Sequence, residues 1–190
     1  MTARLRLICL FLTGGAALAA GLTAALAQED FGFMPKGGKT LLLEVLGSPP
    51  DPNQMREIAQ ARRGEEEWQQ VLSDRTEAFS DRERLTLAAY LAVNVPLPEG
   101  LLAEAEKLDE LAAALPRDGR ELAWFECQFC HSLFTSHLTQ DRGVQAWLNM
   151  FQSPFHRELK MNEQEREEFS RYSAVNMPMK IEDVPPDLRF

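Results

Sequence analysis

Cysteine is scarce in this chain, and its scarcity argues against a structural zinc site. Three cysteines occur among 190 residues, and Cys9 lies in an apolar N-terminal stretch, so only Cys127 and Cys130 remain for the rest of the chain. A structural zinc site needs four ligands. It would have to recruit His137 and His156, which lack the paired spacing of zinc-binding histidines. Zinc is therefore disfavoured.

Other patterns are missing as well. No stretch alternates apolar and polar residues as a half-buried strand does, so the sequence predicts an all-α fold. The chain also lacks a phosphate-binding loop, a second metal motif and a nucleophile paired with a base, so nothing in it indicates an enzyme.

The N-terminus carries the features of an export signal. Arg4 and Arg6 precede an apolar stretch that ends in the small-x-small sequence Ala25-Leu26-Ala27. This is typical of a secretory signal peptide over residues 1–27, which predicts a periplasmic protein. The stretch is also long enough to span a bilayer if it is not cleaved, so membrane anchoring stays open.

Without that segment the chain is acidic, with 18 basic against 29 acidic side chains and a net charge of −11. Such a surface repels nucleic acid and anionic lipid, so we expect neither as a partner. A solubilising role for the charge fits equally well.

The stretch FECQFCHSLF, residues 125–134, is a Cys-x-x-Cys pair followed by histidine. A thioredoxin-like redox pair would have a βαβ context, whereas the flanking residues predict a helix with Asp118 and Glu121 as a capping box. The remaining interpretation of the motif is covalent attachment of haem c. Cysteines at i and i+3 lie on one helical face, and the adjacent His131 is then the iron ligand.

The run from Cys127 to Pro178 resembles the small periplasmic c-type cytochromes of bacteria, with CxxCHS followed by a Trp-bearing helix, a ligand loop and a closing helix. The resemblance covers residues 117–190. It implies one covalent haem c, anchored by Cys127 and Cys130, with His131 as proximal ligand. It further implies single-electron transfer with a redox protein partner, such as a periplasmic dehydrogenase or a membrane electron-transfer complex.

An internal repeat precedes this region. Trp68 matches Trp147 at an offset of 79, and Tyr90 matches Tyr172 at an offset of 82. The Asn94-x-Pro96 ending recurs as Asn176-x-Pro178. Projected back by 79 residues, the CxxCH positions fall on Ser48, Asp51 and Pro52, so the first copy has no haem-attachment site.

We therefore predict tandem cytochrome c-like helical modules of which only the second carries haem. The predicted segments are the signal at 1–27, a flexible leader at 28–37, the haemless module at 38–98, a connecting helix at 99–116 and the haem domain at 117–190.

The distal iron ligand is where this chain departs from the commonest family pattern. The predicted ligand loop, QSPFHRELK, contains His156, which is the favoured candidate, and Met177 and Met161 are the alternatives. Met150 is expected to face the core, and His137 to lie in a loop or at the surface. Five aromatic side chains are candidates for the pocket: Trp124, Phe125, Phe129, Phe134 and Trp147.

Two functions remain open on the sequence. One is an electron-transfer cytochrome with both axial iron positions filled by protein. The other is a haem-containing accessory or sensor subunit, with an open iron position or a haemless module that docks a partner.

Overall fold

The computed structural model describes residues 31–105 and 111–190, and within these ranges the regular structure is helical, with no strand. The predicted all-α class is confirmed for this part of the chain. The α-helices are α1 Gly38–Leu46, α2 Pro52–Gln60, α3 Glu65–Val71, α4 Asp81–Asn94, α5 Glu99–Ala105, α6 Leu111–Ala114, α7 Gly119–Cys127, α8 Val144–Met150, α9 Pro154–Arg157 and α10 Glu163–Asn176. A π-helix, Phe134–Leu138, lies between α7 and α8.

Capping boxes fix the starts of the helices that matter most for the site. In α10, the Asn162 side chain accepts from the Glu165 backbone N–H at 2.9 Å, and the Glu165 carboxylate accepts from the Asn162 N–H at 2.9 Å. Each bond satisfies a backbone donor that has no partner within the helix. The same reciprocal pair begins α4 at Ser80 and α7 at Asp118, and the pair at Asp118 is the one predicted above.

The two closing helices, α4 and α10, end alike and pack together. The amides of Asn94 and Asn176 each donate to the carbonyl of the tyrosine four residues earlier, at 3.0 Å. Asn176 also donates to Thr86 Oγ1 on α4 at 2.9 Å. Contact between α4 and α10 is the most extensive between any two of the described helices, so this pair forms the centre of the fold.

Each closing helix carries a tyrosine that packs on a glycine of an opening helix. A Cβ built on Gly38 would lie 2.1 Å from Tyr90 Cβ, and one built on Gly119 would lie 2.1 Å from Tyr172 Cβ. Both glycines are therefore required by the close approach of the helices. Gly38 and Gly119 occupy equivalent positions at an offset of 81 residues, two more than the sequence alignment assigns to this stretch. The CxxCH positions then correspond to Leu46, Pro49 and Pro50, again without cysteine.

Each of the two tyrosine hydroxyls donates a hydrogen bond to a backbone carbonyl in the other half of the chain. Tyr90 OH donates to the carbonyl of Pro116 at 2.9 Å, just before α7, and Tyr172 OH donates to the carbonyl of Pro35 at 2.7 Å, just before α1. The closing helix of each half thus holds the entry to the opening helix of the other half.

Several predicted segments can be compared with this structure. The predicted signal lies outside the described residues. Within the predicted flexible leader at 28–37, Met34 is only 2% exposed and the Pro35 carbonyl accepts from Tyr172, so this described part is packed against the fold. Within the predicted connecting helix at 99–116, the described residues form α5 and α6, and residues 106–110 lie outside the described ranges. Across residues 31–105 and 111–190, no helix has both the length and the apolar character needed to cross a membrane.

A buried carboxyl group lies where α10 meets α7. Glu168 is 2% exposed, and its carboxyl group accepts from the Gly119 N–H at 3.0 Å and from the Asn94 amide at 3.3 Å. Burial and then the nearby Asp118 carboxylate raise the pKa of Glu168 to about 8. The folded protein therefore keeps a proton on Glu168 at pH values where the unfolded chain loses it.

This raised pKa makes stability depend on pH. Its contribution is complete below about pH 4.5, the ordinary glutamate pKa, and is lost as pH rises toward 8. We expect the free energy of unfolding to fall by about 3 kcal/mol between pH 5 and pH 8 through Glu168 alone. Urea titrations across this range should show a flatter dependence for Glu168→Gln. Glu163→Gln, at an exposed site in the same helix, is the matched control, and equal slopes in all three proteins would contradict the assignment.

Candidate functional site

A cavity of about 370 Å³ lies beside the CxxCH sequence, between the end of α7 and helices α8, α9 and α10. Its volume is within the range of pockets that hold small molecules and cofactors. Six of the residues that line it carry a nitrogen or sulfur atom able to bind metal: Cys127, Cys130, His131, His137, Met150 and His156.

The CxxCH residues follow a different backbone course from the predicted one. Helix α7 ends at Cys127, and residues 128–130 form a turn, so Cys130 and His131 lie beyond the helix. The helix thus ends before the second cysteine instead of carrying both cysteines. Because Gln128 keeps a right-handed helical backbone, the chain continues around the same side, and all three side chains line the cavity.

The thiol of Cys127 is not activated. Burial, then the Glu126 carboxylate and Cys130, raise its pKa to about 12. The group is thus a protonated thiol at neutral pH, whereas reactive cysteines and thiolate metal ligands need a lowered pKa. Both cysteines are free rather than joined in a disulfide.

Two polar contacts at Nδ1 orient the His156 ring. The short helix α9 begins after Ser153, whose hydroxyl lies 3.1 Å from His156 Nδ1, and the Met150 carbonyl lies 3.2 Å from the same atom. Because a carbonyl can only accept, this contact places the ring proton on Nδ1. The lone pair is then on Nε2, which is the arrangement that holds most metal-binding histidines.

His131 and His156 both line the cavity and lie close together. Their ring centroids are 6.0 Å apart, and the ring planes are perpendicular. Two imidazoles that bind one metal ion from opposite sides have centroids about 6 Å apart, because each metal–nitrogen bond is about 2 Å long. The separation alone is compatible with a single ion between the rings.

The structure corrects the predicted position of His137. It is 2% exposed, within the π-helix Phe134–Leu138, and its ring contacts Trp147 at 5.1 Å and Phe169 at 5.2 Å between centroids. Burial lowers its pKa to about 3, so the imidazole is neutral. The prediction of a loop or surface position is wrong, because the π-helix turns this residue into the apolar interior beside α10.

The methionine candidates separate into two groups. Met150 lines the cavity, although the sequence favoured a core position for it. Met161 and Met177 are each 5% exposed and are not among the lining residues.

Aromatic side chains form much of the wall. Of the five aromatic candidates, only Trp147 lines the cavity, and Phe155 and Phe169 join it. Phe155 is 88% exposed and Phe129, between the two cysteines, is 78% exposed, so large apolar side chains project into solvent on this side of the molecule. Sequence spacing gave no sign of the Phe155 and Phe169 contacts, since these residues approach from separate helices.

No protein-family model matches the chain, and comparisons with curated proteins and with solved structures find no significant match. Within the described ranges, no three His, Cys, Asp or Glu side chains converge to hold a metal ion by themselves.

Proposed function

We propose that this chain is a covalent haem protein and, within that class, a small periplasmic c-type cytochrome that carries single electrons between redox proteins. The observation that carries the proposal is the shared cavity of Cys127, Cys130, His131 and His156. These are the two predicted thioether anchors and the two predicted axial ligands, and the last two lie 25 positions apart in sequence.

The residues of the cavity suit haem c in three respects. Cys127 and Cys130 are free thiols beside the cavity, available for thioether bonds to the two vinyl groups. The 6.0 Å separation of the imidazole rings suits one ion with an axial ligand on each side. Trp147 and Phe169 supply apolar walls.

Haem bound in this position would supply a one-electron iron couple, and the chain would set its properties. His131 is the proposed proximal ligand, and His156 is the proposed distal ligand with Nε2 available. The Met150 carbonyl holds His156 Nδ1–H and so fixes the ring. Two imidazole ligands favour a lower reduction potential than a histidine–methionine pair.

We further propose that the chain consists of tandem cytochrome-like modules, only the second of which carries haem. Matching contacts support this proposal. The Arg63 guanidinium lies 4.9 Å from the ring centroid of Trp68, and that of Arg142 lies 5.1 Å from the ring centroid of Trp147. The tyrosine–glycine contacts and the asparagine helix ends also recur in both halves. In the first half, the position of the attachment sequence is a turn that contains Pro49 and Pro50.

The proposal predicts one haem per chain, attached through two thioether bonds. Full-length protein expressed with a haem-attachment system should give one haem in a pyridine haemochrome assay, and acid-acetone should not extract it. Cys127→Ser combined with Cys130→Ser should lose all covalent haem. A Ser48→Ala variant, outside the proposed haem module, should retain it.

Two haems per wild-type chain, or haem that acid-acetone removes, would contradict this proposal. Carbon monoxide then separates the two haem functions, because a six-coordinate iron with two protein ligands does not respond to it. A full response of the reduced wild type would favour an accessory or sensor protein with an open iron position.

A further inference from the structure

His137 has a partner on only one of its two ring nitrogens. Its Nε2 lies 2.8 Å from Ser173 Oγ, and Ser173 Oγ donates its own proton to the Phe169 carbonyl at 2.7 Å. The serine oxygen must therefore accept from His137, which places the ring proton on Nε2. Nδ1 carries the lone pair, and it is buried without a hydrogen-bond partner in the described residues.

A buried acceptor without a donor costs stability, so its presence calls for an explanation. His137 lines the cavity, and Ser173 already occupies its Nε2, so Nδ1 is the ring nitrogen left for a bond to a molecule in the cavity. The low pKa of the ring, caused by burial, keeps it a neutral acceptor at ordinary pH. His137 Nδ1 can therefore accept a hydrogen bond from a donor group of a bound molecule.

Comparison of the two halves shows that the fold does not itself need a polar group here. The Leu97 N–H donates to the Ala59 carbonyl at 2.8 Å, and the Met179 N–H donates to the Leu138 carbonyl at 2.7 Å. These bonds are equivalent, so the residue before Leu138, His137, corresponds to Ile58.

Ser173 follows Tyr172 as Leu91 follows Tyr90, so its counterpart is also apolar. Ile58 and Leu91 are both buried in the hydrophobic core of the first half. The histidine–serine pair therefore occurs only in the half that contains the cavity.

We propose that His137 Nδ1 accepts a hydrogen bond from a haem carboxyl group, and that this carboxyl group is held in its protonated form. The inference rests on the proposed haem function. Haem offers two kinds of polar group, its iron and its carboxyl groups. His131 and His156, 6.0 Å apart, are the side chains that would hold the iron. An ionised carboxylate has no proton to donate to Nδ1, which leaves the carboxylic acid.

Trp147 Nε1 can complete this contact. It lines the same cavity and has no described partner, so its N–H can donate to the carbonyl oxygen of the same carboxyl group. Trp68 Nε1 in the first half is equally unpartnered, so the inference depends on His137 rather than on the tryptophan.

The electrostatic surroundings support a neutral carboxyl group. The partners of His137 on α8 and α10 are Trp147, Phe169 and Ser173, none of which is charged. The titratable side chains that line the cavity besides His137 are Glu126, Cys127, Cys130, His131 and His156. The Glu126 carboxylate is engaged by Arg117 at 2.6 Å.

His137 is then a positioning residue for the redox centre. Its hydrogen bond stabilises the neutral acid and raises the pKa of that group. A neutral carboxyl group beside the iron gives a higher reduction potential than an ionised one, because a negative charge favours the oxidised iron.

The test is the reduction potential of covalently loaded full-length protein as a function of pH. His137→Gln keeps a donor that reaches Ser173 but removes the acceptor at the Nδ1 position. We expect the pH above which its potential falls to move down by about one unit, with a lower potential at pH 7. His137→Asn places Oδ1 near the Nδ1 position and should retain the wild-type profile.

A double variant controls for misfolding of the single variants. His137→Ile with Ser173→Leu reproduces the apolar pair of the first half and should fold, with the same shift as His137→Gln. Infrared spectra of protein loaded with carboxyl-¹³C haem should show an isotope-sensitive band of a protonated acid in wild type, which distinguishes it from Glu168.

Identical potential profiles for wild type, His137→Gln and the double variant would overturn the inference while leaving the haem proposal intact. So would the absence of an isotope-sensitive acid band. Carbon monoxide binding by reduced His137→Gln but not by wild type would overturn it in favour of His137 as an axial ligand. A wild-type chain that binds no haem would overturn both proposals.

Discussion

Replacing His156 with alanine is expected to convert an iron centre that ignores carbon monoxide into one that binds it at close to one molecule per haem. The reason is the geometry around this ring. His156 Nδ1 is held by the Met150 carbonyl at 3.2 Å, which leaves Nε2 available to the proposed iron, and the ring centroid lies 6.0 Å from that of His131. Alanine removes the ligand without filling the axial position.

Absorption spectra recorded with and without carbon monoxide measure this effect. A second variant, with methionine at the same position, tests the ligand assignment further. His156→Met should restore six-coordination, introduce the weak far-red band of a methionine–iron bond and raise the reduction potential. Met150→Leu is the matched control, because Met150 lines the same cavity without being the proposed ligand. It should leave the wild-type spectrum unchanged.

The opposite pattern would identify a methionine ligand. If the oxidised wild type shows the far-red band and His156→Ala retains it, the assignment to His156 is wrong. Loss of the band in Met150→Leu would then identify Met150, on α8, as the ligand. Retention of the band would leave Met161 and Met177 as the candidate ligands.

Adding one methyl group to Gly119 is expected to destabilise the chain by at least about 4 kcal/mol, which is at the upper end for a single substitution. The new Cβ would lie 2.1 Å from Tyr172 Cβ, and neither atom can move without its backbone. Helix α7 would have to move away from α10, which also strains the Gly119–Glu168 hydrogen bond. This cost exceeds the gain of about 1 kcal/mol that alanine normally brings to a helix.

Thermal and urea unfolding would measure this loss, with two comparisons. Gly38→Ala meets Tyr90 at the same 2.1 Å and should cost a similar amount in the other half. Gly100→Ala, where nothing lies within 4 Å of the new Cβ, should be neutral or slightly stabilising. Equal stability of the Gly119→Ala and Gly100→Ala proteins would show that the helices do not approach as closely as described.

Local hydrogen bonding explains which parts of the fold the sequence predicts well. The capping boxes at Ser80, Asp118 and Asn162 involve residues three apart, so their pattern is visible in the sequence and their outcome depends little on tertiary packing. The helix ends at Asn94 and Asn176 are predicted for the same reason.

The cavity was predicted less completely because its walls come from separate segments. His131 and His156 could be proposed from sequence, but the burial of His137 depends on a π-helix and on Ser173, 36 residues later. The repeat contained a usable signal, since an offset of 79 pairs His137 with Ile58, a residue type found in cores. The absence of Met161 and Met177 from the cavity lining depends on the packing of α10, which no short pattern records.

The crossed tyrosine bonds have a consequence for how the chain can fold and be divided. Tyr90 reaches Pro116 and Tyr172 reaches Pro35, so neither half contains all the partners of its own closing helix. The arrangement has the reciprocity of a twofold homodimer interface, here within a single polypeptide. A fragment cut between the halves would leave one buried phenol without its acceptor and expose one face of α4 or α10. We therefore expect the first half to be an obligatory folding partner of the second, as each subunit is in a dimer whose monomers do not fold alone.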